Sequence, residues 1–120
     1  MSDAFDYDLI VIGAGTGGSG VARMTAAAGW KVAIIDSLPY GGTCALRGCD
    51  PKKMLVAVTE GMDWAQNLKG KGLEAQTSVD WQDMMAFKRS FTDAMPMRIE
   101  TGLEKAGVAT LHGDPRFTAP

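Results

Sequence analysis

Tyr7-Asp8-Leu9-Ile10-Val11-Ile12 runs directly into Gly13-Ala14-Gly15-Thr16-Gly17-Gly18, and this junction constrains the fold more than any other part of the chain. An apolar, β-branched run ending at glycine suits a central strand buried on both faces. Ser19 to Ala28 then reads as a helix of small residues closed by Gly29, and Lys31-Val32-Ala33-Ile34-Ile35-Asp36 as a second buried strand. Two parallel strands need a crossover helix, so these residues predict a βαβ unit and an α/β fold.

Gly13, Gly15 and Gly18 form a G-x-G-x-x-G pattern in the context that gives it meaning, after a strand and opening a helix. Gly13 permits the tight turn, Gly15 lets a pyrophosphate approach the backbone, and Gly18 allows close contact between helix and strand. The amides of Thr16, Gly17, Gly18 and Ser19 then face the phosphates. Asp36 follows Gly18 by 18 residues, near the spacing of about 20 at which an acid accepts hydrogen bonds from ribose hydroxyls. The alternative for Asp36 is a cap on a solvated strand end. The pattern predicts a bound dinucleotide and leaves FAD and NAD equally open.

Downstream lies Gly41-Gly42-Thr43-Cys44-Ala45-Leu46-Arg47-Gly48-Cys49-Asp50-Pro51-Lys52-Lys53, which holds the only two cysteines of the 120-residue chain. A disulfide here would close a ring of six residues and stabilise by only about 2 kcal/mol, which makes it a poor structural staple. Structural zinc needs about four ligands, and beyond the two thiols there is one histidine, His112, far away in sequence. Zinc stays open but disfavoured, and in a reducing compartment a paired thiol favours catalytic chemistry over a structural bridge. Cys49 directly precedes a helix expected from Pro51 to about Lys69, where the helix field with Lys52 and Lys53 favours a thiolate and Asp50 opposes it. A further helical stretch is expected from Asp80 as N-cap towards Ala106, kinked or split at Pro96, then a short strand over Val108 to Leu111.

The dithiol run resembles the redox centre of the pyridine nucleotide-disulfide oxidoreductases, which reads G-G-T-C, four residues, C-x-P, then lysine, and every fixed position is present. The resemblance implies the front part of a Rossmann-like, doubly wound FAD-binding domain over residues 1–120, with the NAD(P)H and dimerisation domains outside this chain. It implies FAD at the glycine loop, with Gly42 and Thr43 near the pyrophosphate. Cys49 would be the sulfur beside the flavin, able to form a charge-transfer complex, and Cys44 the interchange thiol. Lys52 and Lys53 are both candidates for the lysine near flavin N5. The complete enzyme would use NAD(P)H and work as a homodimer on a small-molecule disulfide or related substrate.

Asp50 stands where the family usually has an apolar residue, and Leu46-Arg47 where it has asparagine-valine, which leaves the reduction potential open. The family's acid-base histidine lies in a His-Pro motif of the dimerisation domain, so His112 is read as a surface strand histidine. Tyrosine occurs only at positions 7 and 40, which counts against glutathione. Lipoamide, mercuric ion, another disulfide or transhydrogenation stay open. A net charge of -2 gives no basic footprint for nucleic acid. The N-terminal apolar run lacks the length and basic flank of a signal peptide, so a cytoplasmic protein without membrane contact is expected. At 120 residues the chain has length for one compact domain and not two, and 46% hydrophobic with 22% charged residues is the composition of an ordinary soluble globular protein. The rival reading is a module that holds a nucleotide and senses redox state through Cys44 and Cys49 without catalysis.

Overall fold

β1 (Leu9–Ile12) and β2 (Val32–Asp36) lie in parallel, Leu9 opposite Val32 and Ile12 opposite Ile35, and α1 (Thr16–Ala27) crosses between them. The βαβ unit expected from the sequence is therefore present in this computed structural model, which describes residues 5–74 and 76–119. α1 starts three residues before the expected Ser19: Gly15 is its N-cap, and the Ser19 N–H donates to Gly15 O at 2.9 Å. Packing of Ala22 and Ala26 into the core outweighs the low helix propensity of the glycines. At the other end Gly29 takes φ +91°, which glycine adopts without strain.

Beyond β2 come α2 (Gly42–Leu46) and α3 (Cys49–Asn67). α2 was not expected, because five residues, Gly42 to Leu46, with no apolar period carry no helix signal. α3 opens two residues before Pro51, whose missing N–H costs nothing in a first turn. The stretch from Asp80 divides into α4 (Trp81–Thr92) and α5 (Met95–Lys105), with Pro96 in the first turn of α5. Asp80 caps α4 as its sequence position implies, its carboxylate accepting the Asp83 N–H at 3.0 Å. β3 (Ala109–His112) joins the other side of β2 in parallel, giving the order β1-β2-β3.

α1 and α5 close over one sheet face around Ala14, Ala22, Val32, Ile34, Tyr40, Leu103 and Val108, with Leu9, Val11 and Ile99 packed against them. The expectation that the first strand is buried on both faces does not hold. Strand side chains alternate, and while Leu9 and Val11 enter the core, Ile10 and Ile12 are 55% and 60% exposed. Among the described residues β1 is an edge strand and no layer covers its second face. The fold is also elongated. The radius of gyration is 21.0 Å and the long extent 78 Å, against about 14 Å for the radius of a compact chain of this length. The cause is that α3 and α4 pack chiefly against one another instead of closing onto the sheet.

Candidate functional site: a dithiol seated on the glycine loop

The sharp turn after β1 is made by Gly13 at φ +101°, and its N–H donates to Ile35 O at 2.8 Å, which ties the loop to β2. A Cβ at Gly18 would fall 2.0 Å from Gly13 O, so only hydrogen fits where α1 crosses the end of β1. Gly15 caps α1 without a side-chain hydrogen bond, and no acidic residue occupies the first turn. The amides of Thr16, Gly17 and Gly18 are thus left for an anion at the positive end of a twelve-residue helix. The Ser19 amide, expected to join them, is spent on Gly15 O.

Asp36, at the end of β2, fastens the loop from the other side. Its Oδ2 accepts the Ala14 N–H at 2.7 Å and its Oδ1 the Leu38 N–H at 2.9 Å. The carboxylate therefore organises the turn, and each oxygen still has a second lone pair for an outside donor.

Tyr40, which sequence reasoning passed over, leads into the dithiol segment. It is 1% exposed, and its hydroxyl accepts the Leu111 N–H at 3.0 Å while lying 2.8 Å from Leu111 O and 3.0 Å from Ile34 O. One phenol so bridges β2 and β3 immediately before Gly41. Its sole mark in the sequence is a bulky aromatic just ahead of paired glycines, and its partner Leu111 lies 71 residues away.

From this anchor the chain turns through Gly41 at φ +126° and Gly42 at φ +62°. The Gly41 N–H donates to Ala14 O at 3.0 Å, and a Cβ on Gly42 would meet the Gly15 Cα at 2.7 Å. Two backbones bare of side chains thus cross where the glycine loop and the dithiol segment meet. Thr43 and Cys44 follow on α2, with Thr43 exposed. Gly48 presses against Thr43, where an added Cβ would come within 3.0 Å of the Thr43 carbonyl.

Cys49 is the first residue of α3 and not a residue ahead of it, so the sulfur rides on the helix start itself. Both cysteines are free thiols, Cys44 half-buried and Cys49 exposed. A hydrogen bond shared with Cys49 pushes the Cys44 thiol up from its ordinary value. Partial burial and the negative charges of Cys49 and Asp50 add to this, and a hydrogen bond from Thr16 pulls the other way. Lys52 and Lys53 are exposed one turn further along α3, at positions i+3 and i+4 from Cys49, and so on its side of the helix.

A raised thiol pKa favours the neutral form, so the Cys44 thiolate emerges at higher pH than that of an ordinary cysteine. Asp50→Asn removes one of the raising charges. Iodoacetamide labelling of reduced protein, read at the Cys44 peptide across alkaline pH, is expected to show a midpoint shifted downward in Asp50→Asn. An unshifted or higher midpoint would contradict the assigned influence of Asp50.

His112 stands apart from this centre. It is exposed at the end of β3, its Nε2 lies 2.6 Å from Glu100 Oε1, and its ring packs against Tyr40 with centroids 4.9 Å apart. Among the described residues no three His, Cys, Asp or Glu side chains gather as a metal site, and no helix is long and apolar enough to cross a membrane.

The sequence model described as pyridine nucleotide-disulphide oxidoreductase matches residues 7–118. A glutathione reductase of Burkholderia cepacia is 36% identical over 97% of this chain and 26% of its own length. Dihydrolipoyl dehydrogenase 2, chloroplastic, of Arabidopsis thaliana is 38% identical over 93% of this chain and 20% of its own. A dihydrolipoyl dehydrogenase of Synechocystis reaches 52% identity over 49% of this chain. The chain thus spans about a quarter of the length of the first of these relatives and a fifth of the second. Since the family match takes in the glycine loop, the dithiol and all three strands, the chain belongs to the pyridine nucleotide-disulphide oxidoreductase family.

Proposed function

We propose that this chain is the FAD-binding and redox-disulfide segment of an NAD(P)H-linked disulfide oxidoreductase, carrying electrons through Cys49 and Cys44 to a small-molecule disulfide. The crossing of Gly42 on Gly15 carries the reading, because it seats the sulfur pair against the start of the nucleotide loop. The donor set suits a dinucleotide pyrophosphate: unspent amides on α1, no competing acid in its first turn, and glycine where backbone must come close. Thr43 flanks that approach, and Asp36 keeps lone pairs for the ribose. When bound, FAD supplies the two electrons it takes as hydride from NAD(P)H.

Two electrons and one proton break the Cys44–Cys49 bond and leave a thiolate and a thiol. The thiolate rests on Cys49, so Cys44 first releases its proton and then attacks one sulfur of the substrate disulfide: a Cys44–substrate bond forms, the substrate S–S bond breaks, and the second substrate sulfur leaves and takes up a proton. The Cys49 thiolate next attacks Cys44 Sγ, restoring the intrachain disulfide, and the other substrate sulfur leaves and takes up a proton from solvent. Lys52 and Lys53 hold positive charge one turn from Cys49, where it stabilises the thiolate of the reduced pair. A reducing, cytoplasmic setting suits a dithiol that cycles in this way. Relatives named as oxidoreductases favour this enzyme over a non-catalytic sensing module.

Two-electron reduction of the full-length flavoprotein is the test. A long-wavelength thiolate–flavin absorbance is expected in the wild type and should vanish in Cys49→Ser. Absence of the band, with disulfide reduction unchanged in Cys49→Ser, would reject the role of Cys49.

A further inference from the structure

Three cations stand beside the two sulfurs without an acid to neutralise them. Arg47, Lys52 and Lys53 are exposed, as is Cys49, and the half-buried Asp50 is the one acid between Cys44 and Lys53. Among the described residues the ion pairs are His112 with Glu100 and Arg116 with Asp114, so none of the three cations has a carboxylate at ion-pair distance. A chain of net charge -2 thus keeps a positive surplus at its dithiol.

Lys52 and Lys53 already serve Cys49 on α3, whereas Arg47 has no part in the exchange described above. It is the C-cap of α2, and its N–H donates to Thr43 O at 2.9 Å, an i to i−4 bond that keeps its backbone on the last helical turn. Cys44 lies three positions earlier, and residues three apart on a helix are neighbours on its surface. Gly48, pressed against the Thr43 carbonyl, fixes the turn on the far side of Arg47. The backbone of Arg47 is therefore held beside the interchange thiol while its side chain stands in solvent.

We propose that Arg47 sets substrate selectivity at the dithiol: it draws in and orients disulfides that carry a carboxylate close to the sulfur–sulfur bond, presenting one sulfur to Cys44. The inference deepens the disulfide-oxidoreductase reading and rests on the assignment of Cys44 as the exchanging thiol. A guanidinium is charged at every working pH, and its planar pair of N–H donors matches a carboxylate, which fixes the direction of the substrate as well as attracting it. An unneutralised cation also raises the encounter rate of anions and repels disulfides that carry amines. Neutral disulfides feel neither effect.

The test uses reduced full-length protein carrying Cys49→Ser, so that a mixed disulfide at Cys44 persists. It is mixed near neutral pH with dithiodiglycolate, hydroxyethyl disulfide or cystamine, which are dianionic, neutral and dicationic, and the acid-quenched Cys44 peptide is followed by mass spectrometry. The readout is the rate with the dianion relative to the neutral compound, because that ratio cancels any change in the thiolate fraction of Cys44. Arg47→Gln is expected to lower the ratio by about tenfold at low ionic strength and to raise the relative rate with cystamine. Arg47→Lys retains the charge and should keep most of the ratio. In about 1 M salt, where the screening length falls to about 3 Å, the wild-type preference should shrink towards that of Arg47→Gln. An unchanged ratio in Arg47→Gln, equal slowing with all three disulfides, or a preference indifferent to salt would overturn the proposal. Flavin binding and NAD(P)H turnover are measured apart from this assay, so their loss rejects the functional reading while selectivity is judged by the ratio alone.

Discussion

Gly42→Ala in the full-length protein is expected to give a colourless product, less stable by about 3 kcal/mol. Two costs add at this position. Gly42 sits at φ +62°, where an L side chain is strained by roughly 1–2 kcal/mol. Its Cβ would also lie 2.7 Å from the Gly15 Cα, and that neighbour is backbone that cannot swing aside. Relief requires the dithiol segment to lift from the glycine loop, which moves Gly15 and the α1 amides out of register with a pyrophosphate. Gly20→Ala provides the contrast. Gly20 is helical and nothing lies within 4 Å of its added Cβ, so the same substitution should stabilise by up to about 1 kcal/mol. Urea denaturation and the flavin absorbance of purified protein check both. A yellow Gly42→Ala protein of wild-type stability would show that the crossing is not needed.

Cys44→Ser should reduce disulfide turnover by about 10³-fold or more while leaving reduction of the flavin by NAD(P)H intact. The asymmetry follows from the placement of the two sulfurs. Cys44 is the thiol assigned to substrate, and serine is far too weak a nucleophile towards disulfide sulfur. Cys49, first in α3 with Lys52 and Lys53 one turn beyond, stays a free thiol when its partner is replaced. The variant should therefore keep the long-wavelength absorbance upon reduction, whereas Cys49→Ser loses it. Stopped-flow reduction followed by turnover with a neutral disulfide separates the two steps. If Cys44→Ser retained turnover, Cys44 would not be the exchanging thiol.

Much of the site was legible in order along the chain. Two of the fingerprint glycines answer to a local requirement: Gly13 to a positive φ, Gly18 to a carbonyl 2.0 Å from where its Cβ would be. Asp80 marked a helix start through capping and Pro96 a kink or split through its missing amide, and the stretch divides with Pro96 in the first turn of α5. Such signals are readable because cause and effect lie within a few residues of each other. Boundaries were less so. α1 and α3 begin earlier than propensity suggests, because packing and an N-cap glycine decide where helical bonding first becomes favourable.

The amino-acid order by itself determined the βαβ unit, the glycine loop and the pairing of two thiols in one short segment, since all of these rest on backbone permissiveness, periodicity and residue type at short range. Only the tertiary structure decided that Gly42 crosses Gly15, that Tyr40 bridges β2 and β3, and that among the described residues one face of β1 is left bare. Those contacts join residues separated by up to 71 positions, and at such distances chain connectivity says nothing about which surfaces meet. Burial of the core and satisfaction of backbone polar groups make that choice.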